Sequence, residues 1–305
     1  MTRLKNILII FIIAIVAIST VSMVSAADIT ISPTTSGGLK KAIDTAKNGD
    51  TIYLQNGVYK GKNNRDIAIK KDIKIIGKGN NVVLNGEGKY RFLIIEENKK
   101  VSVTKIKFTK GSTSAIKQTK GTLTVNSCTF TDNQATPMGG AINTASKCTV
   151  SKSTFTNNQA GLGGAIASKA KGSLTINSCT FKNNQATNRG GVINSQGDLT
   201  VSKSTFTNNQ AKKSGSGAIY ISGKKSDISG STFTNNQAKR LGGAIEIDGV
   251  QKSVKITDSN FKNNKGDKDT VVVIWSASTN LITKNTNLIA VKNLNDKTMT
   301  NMVET

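Results

Sequence analysis

The sequence predicts an all-β fold, a parallel β-helix solenoid of about ten coils with a short N-terminal capping helix. Three observations lead there. A short segment recurs: T-F-T-D-N-Q-A around Phe130 returns at Phe155, Phe181, Phe206 and Phe233, and as N-F-K-N-N-K at Phe261, at intervals of 25, 26, 25, 27 and 28 residues. Between these copies lies a second marker, G-G-A-I at 139–142, 163–166 and 242–245, G-G-V-I at 190–193 and G-S-G-A-I at 215–219. Seven and five residues before each phenylalanine comes an alternating pair, as in Leu123/Val125, Leu174/Ile176 and Val254/Ile256. Alternation with period two means strand, and no run reaches helical length. Three short strands per repeat, without crossover helices, give one coil per repeat, with like residues stacked at ~4.8 Å.

Taken from the N-terminus, Arg3 and Lys5 precede an apolar run from Ile7 to Ile18 that fades into small residues. This is the pattern of a secretory signal peptide over residues 1–26, cleaved after Ala26 or Ala27, with an uncleaved membrane anchor as the alternative. The expected product is secreted or held at the cell surface. Residues 37–48 follow as a cap, with Leu39, Ala42, Ile43 and Ala46 on one helical face and Asn48-Gly49 ending it. Irregular strands are expected at Thr51–Leu54, Ile67–Ile69, Ile73–Ile76, Val82–Leu84 and Phe92–Ile95, and regular repeats over about 101–290. Cap and coils make one domain, 27–296, without a linker, followed by a tail at 297–305.

Stacking assigns the recurring residues. Phe130, Phe155, Phe181, Phe206, Phe233 and Phe261 form one dry internal column. Two residues earlier falls a small inward position: Cys128, Ser153, Cys179, Ser204, Ser231 and Ser259. Ile142, Ile166, Ile193, Ile219 and Ile245 make another column. The glycine pairs suit a corner that excludes Cβ atoms. Asn133, Asn158, Asn184, Asn209, Asn236 and Asn264 fall at a second corner, where stacked amides bond along the rod axis.

The paired G-G-A-I and F-x-x-N motifs resemble the repeats of polymorphic outer-membrane-type proteins and of the adhesin-like surface proteins of methanogenic archaea. The opening A-I-D-T-A-K-N-G-D-T-I-Y-L-Q-N-G-V-Y at 42–59, with I-K-I-I-G-K at 73–78, is similar to the entry into pectin-lyase-like β-helix domains. The resemblance spans about Leu39 to Leu288 and implies a right-handed parallel β-helix displayed outside the cell.

Composition then limits the chemistry. There is no histidine, which excludes Ser-His-Asp and Cys-His nucleophilic sites and His-ligated metals. Three cysteines are too few for a disulfide scaffold. Cys128 and Cys179 share a column two coils apart, ~9.6 Å, beyond bridging distance, and Cys148 lies in another. No cofactor or metal is expected. Glycoside hydrolysis wants converging carboxylates, and Glu246 with Asp248 is the one pair that shares a strand face. Read from sequence the two are exposed and solvated among lysines. Arg189 and Arg240 lie near glycine corners without an Asp cluster. No catalytic residue is therefore assigned, and a polysaccharide lyase or hydrolase is the alternative reading.

Binding is the leading expectation. T-F-T places hydroxyls outside at Thr129, Thr131, Thr154, Thr156, Thr205, Thr207, Thr232 and Thr234, with Lys182 among them, as a candidate ligand-binding face. Threonine also favours exposed strands for purely structural reasons. Lys+Arg is 42 against 18 Asp+Glu, so the chain carries +24, or +22 once Arg3 and Lys5 leave with the signal peptide. The lysines are scattered rather than gathered into a groove with interleaved aromatics, which argues against nucleic acid. The expected partner is a cell-wall, host or matrix polysaccharide or another anionic surface, with membrane contact only through an uncleaved signal segment.

Overall fold

Like residues pair with like along the whole array. Phe130 lies opposite Phe108 and Phe155, and the register Phe155–Phe181–Phe206–Phe233–Phe261 continues without a slip. The computed structural model describes residues 26–249, 253–275, 281–288 and 291–293; residues 1–25 of the expected signal peptide (1–26) and the expected tail at 297–305 lie outside the described residues. Strands stack into parallel sheets of 11, 10, 9 and 5 strands. The ten intervals of the longest sheet give a rod of ~48 Å.

Each coil follows one sequence logic. A five-residue strand such as Leu174-containing Ser173–Asn177 buries its second and fourth residues. Ser178 then turns the chain in the left-handed region, at φ 55°. The short strand Thr180–Lys182 buries only Phe181. Asn183 makes the next turn at φ 56°, and the same position is Asp132, Asn157, Asn208, Asn235 and Asn263 in the other coils, all with positive φ. Asn and Asp tolerate this conformation better than other non-glycine residues. A further strand, Gln185–Arg189, then leads to the glycine corner and to Ile193–Ser195. The Gln-Ala strands are an addition to the three strands per repeat expected from the pattern. They form the five-stranded sheet, and their alanines are too small and their runs too short to register as alternation.

The columns are dry where the sequence places them. Six consecutive ring pairs from Phe108 to Phe261 stack with centroids 4.6–4.9 Å apart, and Phe92 closes the N-terminal end edge-on at 5.5 Å. The isoleucine column is fully buried. In the asparagine column the Asn184 amide donates to Asn209 Oδ1 (3.1 Å) and to the Phe155 carbonyl (3.0 Å), while its own Oδ1 accepts from the Asn158 backbone N–H and amide, both at 3.0 Å. The ladder repeats from Asn133 to Asn264 and satisfies corner backbone that no sheet reaches. The small column forms a second ladder, in which Ser204 Oγ accepts from the Cys179 N–H and donates to Ser202 O. All three cysteines are buried free thiols, pushed up to about 11 to 12 chiefly by desolvation. At the glycine corner a Cβ on Gly163, which sits at φ 59°, would lie 2.1 Å from the Ile166 carbonyl oxygen, so only glycine fits.

The N-terminal end is covered as expected, by a helix at Gly38–Thr45 that buries Leu39, Ala42 and Ile43. A strand ahead of it, Asp28–Ile31, pairs with Thr51–Leu54 and starts the longest sheet one rung earlier than the sequence suggests. Asn64 Oδ1 accepts the Leu39 N–H at 2.9 Å and ties the helix to the first coil.

Candidate functional site

The outer face of the isoleucine sheet carries the chemistry that the repeats do not explain. Its middle column runs Lys117, Asn143, Ala167, Asn194, Tyr220, Glu246 and Val273 in register. These side chains point away from the core, yet from Ala167 onward they are buried. Two residues further along each coil lies a parallel column. The N–H groups of Ser222, Asp248 and Trp275 each bond to the carbonyl of the coil before, which puts Asp248 and Trp275 on adjacent rungs.

Arg189 enters this face from the end of the glutamine strand, where the preceding coils carry Met138 and Leu162. Its Nη1 donates to Tyr220 Oη at 2.7 Å and to Asp248 Oδ2 at 3.0 Å. The guanidinium also lies over the Tyr220 ring, 4.8 Å from its centroid. Tyr220 Oη in turn donates to Asp248 Oδ2 at 2.8 Å. Glu246 sits beneath. It is fully buried, its Oε1 accepts the Trp275 indole N–H at 3.0 Å, and Arg189 Nε is 4.0 Å away. Its second oxygen, Oε2, has no hydrogen-bond partner among the described residues, and neither does Oδ1 of buried Asn194 in the same column.

Electrostatics follow from that burial. Desolvation pushes the Glu246 carboxyl up to about 7, opposed by Arg189 and reinforced by the nearby Asp248. Burial and the hydrogen bond to Asp248 push the Tyr220 hydroxyl up to about 12. Glu246 thus crosses from neutral acid to carboxylate near neutrality, while Arg189 holds Asp248.

This arrangement corrects one expectation and adds a partner. Glu246 and Asp248 do share a face, but they are not an exposed, solvated pair: Glu246 is sealed and Asp248 is ion-paired. Arg189 has no Asp cluster but one aspartate partner that the sequence does not show: Asp248 lies 59 residues away yet within reach across two coils. Separation in sequence hides the pair, and only the stacking register of Tyr220 with Glu246 reveals it.

The candidate threonines stand where the alternation puts them. Thr129, Thr154, Thr180, Thr205 and Thr232 form one in-register column, and Thr131, Thr156, Lys182, Thr207 and Thr234 another. Thr154, Thr205 and Lys182 are exposed; Thr129, Thr131, Thr156, Thr207, Thr232 and Thr234 are half-buried. The flanking turns and neighbouring coils cover part of each hydroxyl. A third threonine column, Thr124, Thr149, Thr175 and Thr200, runs along the long-strand sheet and escapes a search keyed to phenylalanine. Beside it a groove is lined by Lys74, Lys100, Lys147, Ser102, Thr122 and Thr124, with Asp72 as its one acid. Three lysines meet in this groove. None of its lining residues is aromatic.

A protein-family comparison bears on this geometry: the family described as right-handed beta helix region matches residues 16–233 and 142–288. No curated protein matches the chain.

Proposed function

Because the chain belongs to the right-handed β-helix family, we propose that it is an exported, non-catalytic, adhesin-like rod that binds anionic cell-wall or glycan surfaces. The observation that carries this reading is the groove on the long-strand sheet. Lys100, Thr122 and Lys147 follow one another in register, so two cations and a hydroxyl occupy three successive rungs ~4.8 Å apart, with Asp72 at the end of the groove. An extended polyanion lying along these three rungs meets a cation or a hydroxyl at each. The net charge of +24 adds a long-range attraction to the same partner.

The Glu246 carboxyl supports the same conclusion from the other side. A general acid must reach the glycosidic oxygen, and this one is sealed under Trp275 and Arg189. A second reading, a polysaccharide-cleaving enzyme, draws on one observation: a carboxyl pushed up to about 7 beside an ionised partner is the usual pairing of acid and base.

Salt tests the proposal. Binding of the mature chain to an immobilised anionic wall polysaccharide is expected to weaken at least tenfold between 50 and 500 mM NaCl, since exposed charges are screened within ~8 Å at physiological ionic strength. Lys74, Lys100 and Lys147 changed together to Gln weaken the low-salt binding. Affinity unchanged by salt and by the triple variant contradicts it.

A further inference from the structure

We propose that the outer face of the five-stranded glutamine sheet is a binding groove for a neutral, hydroxyl-rich glycan laid along the rod axis. The inference rests on the glycan-binding reading above but uses a different face and a different chemistry from the lysine groove.

Recurrence without a packing role marks this face. In the N-N-Q-A segment the first asparagine makes the turn, the second builds the buried ladder and the alanine packs inward. The glutamine does none of these. Gln134, Gln159, Gln185, Gln210 and Gln237 stand in one register column on five successive rungs. Gln134, Gln159 and Gln237 are exposed, and the other two are half-buried. Two residues further on, the same outward face reads Thr136, Gly161, Thr187, Lys212 and Lys239, so an outward position does not by itself keep one residue type.

Stacked glutamines can serve a fold by closing an amide ladder along their column. Here the ladder stays open. Gln210 donates to Gln237 at 3.4 Å, while the side-chain amides of Gln134, Gln159 and Gln185 make no hydrogen bond among the described residues. These three amides border a groove of about 410 Å³, within the ~300–1,000 Å³ usual for small-ligand sites. Gly161 occupies its middle rung, between Pro137 and Asn188. A Cβ at Gly161 would lie 2.5 Å from the Pro137 carbonyl oxygen, so that rung stays bare and the groove stays open.

Chemistry selects the ligand class. None of the lining residues is acidic, and Lys212 is the one cation among them. Each glutamine amide offers both a donor and an acceptor, as does each sugar hydroxyl. A free amide can therefore pair with two neighbouring hydroxyls at once, whereas a carboxylate only accepts and leaves the amide oxygen unused. Stacking presents the same amide at every rung, ~4.8 Å apart, and a polysaccharide is a ligand whose hydroxyls also recur along an extended axis. An added peptide strand fits less well, because this is the broad side of a sheet whose strands already pair with the coils above and below.

Calorimetric titration of the full mature chain tests the groove, with neutral oligosaccharides of a β-glucan, a mannan and an N-acetylhexosamine polymer beside a uronate oligosaccharide. At least one neutral glycan is expected to bind with an affinity that changes less than about twofold between roughly 50 and 500 mM NaCl, since no ion pair is there to be screened. Gln159→Ala with Gln185→Ala weakens that binding about tenfold, the loss expected for two hydrogen bonds. Lys74, Lys100 and Lys147 changed together to Gln leave it unchanged, and circular dichroism confirms that both variants fold. Should the glutamine variant not fold, Thr187→Trp, which fills the groove from an exposed strand position, must abolish binding instead. No neutral glycan bound, a response to the uronate alone, or binding indifferent to these changes overturns the groove. So does sedimentation showing that the glutamine variant has lost a dimer rather than a ligand. The lysine-groove reading is judged by salt-sensitive adhesion, so either can fail while the other stands.

Discussion

Phe181→Ala is expected to lower stability by ~3–5 kcal/mol, at the upper end for a core truncation. Its ring is fully buried between Phe155 at 4.9 Å and Phe206 at 4.8 Å. In a globular core, neighbours relax into part of the space that such a change opens. Here the rings above and below are held on rungs that also carry the asparagine ladder and two sheet registers, so the gap persists. Loss of a phenylalanine inside the stack also removes two ring contacts rather than one. Chemical denaturation of the wild type and the variant measures the difference; a loss under ~1 kcal/mol would mean that the coils collapse freely onto the cavity.

A second large effect is tied to pH. Glu246 has its pKa raised to about 7 from an ordinary value of 4.5, first by desolvation. A carboxyl whose folded-state value lies above the unfolded one holds its proton more tightly when folded. Its contribution to stability is therefore complete below pH 4.5 and is lost as pH rises through 7, a total of about 3 kcal/mol. With no histidine in the chain, Glu246 is the described side chain whose shift places its titration between pH 5 and 8. Glu246→Gln keeps the hydrogen-bond acceptor for Trp275 and removes the titration. The wild type is expected to lose stability from pH 5 to 8 while the variant stays nearly flat, and Trp275 emission follows the same midpoint only in the wild type. A wild type equally stable at pH 5 and 8 would contradict the burial of this carboxyl.

Repetition made most of the fold legible. The phenylalanine, isoleucine, asparagine and small-residue columns all follow from one idea, that residues recurring at the coil period must stack. The helix is legible for a different reason, since Leu39, Ala42, Ile43 and Ala46 keep a helical spacing that no coil shares. What the pattern hides is what does not recur as alternation. Gln134–Met138 and its counterparts are strands without an apolar stripe, and Asp28–Ile31 is a single strand ahead of the cap. The αL role of the first asparagine in N-N-Q-A escapes because its buried neighbour accounts for the motif alone.

The candidate site was half legible. Glu246 and Asp248 stand out as acids on one strand face in a basic chain. Their environment does not, because Arg189, Tyr220 and Trp275 occur once each and meet only through register and a reach across coils. The face looks solvent-exposed by alternation, yet from Ala167 to Val273 its middle column is buried. Non-repeating residues on a repeating scaffold are what periodicity cannot place, and Arg189, Tyr220, Glu246, Asp248 and Trp275 form one such group.

The most direct measurement of the central claim sets binding against cleavage on one preparation. Wild-type protein and the Glu246→Gln/Asp248→Asn double variant are incubated with the polysaccharide that the chain binds. Bound fraction and newly released reducing or unsaturated ends are recorded together. A non-catalytic binder predicts no ends released by either protein and adhesion to the anionic surface that is retained or slightly stronger in the variant, since negative charge is removed. End release by the wild type that disappears in the double variant would contradict it and make the rod an enzyme.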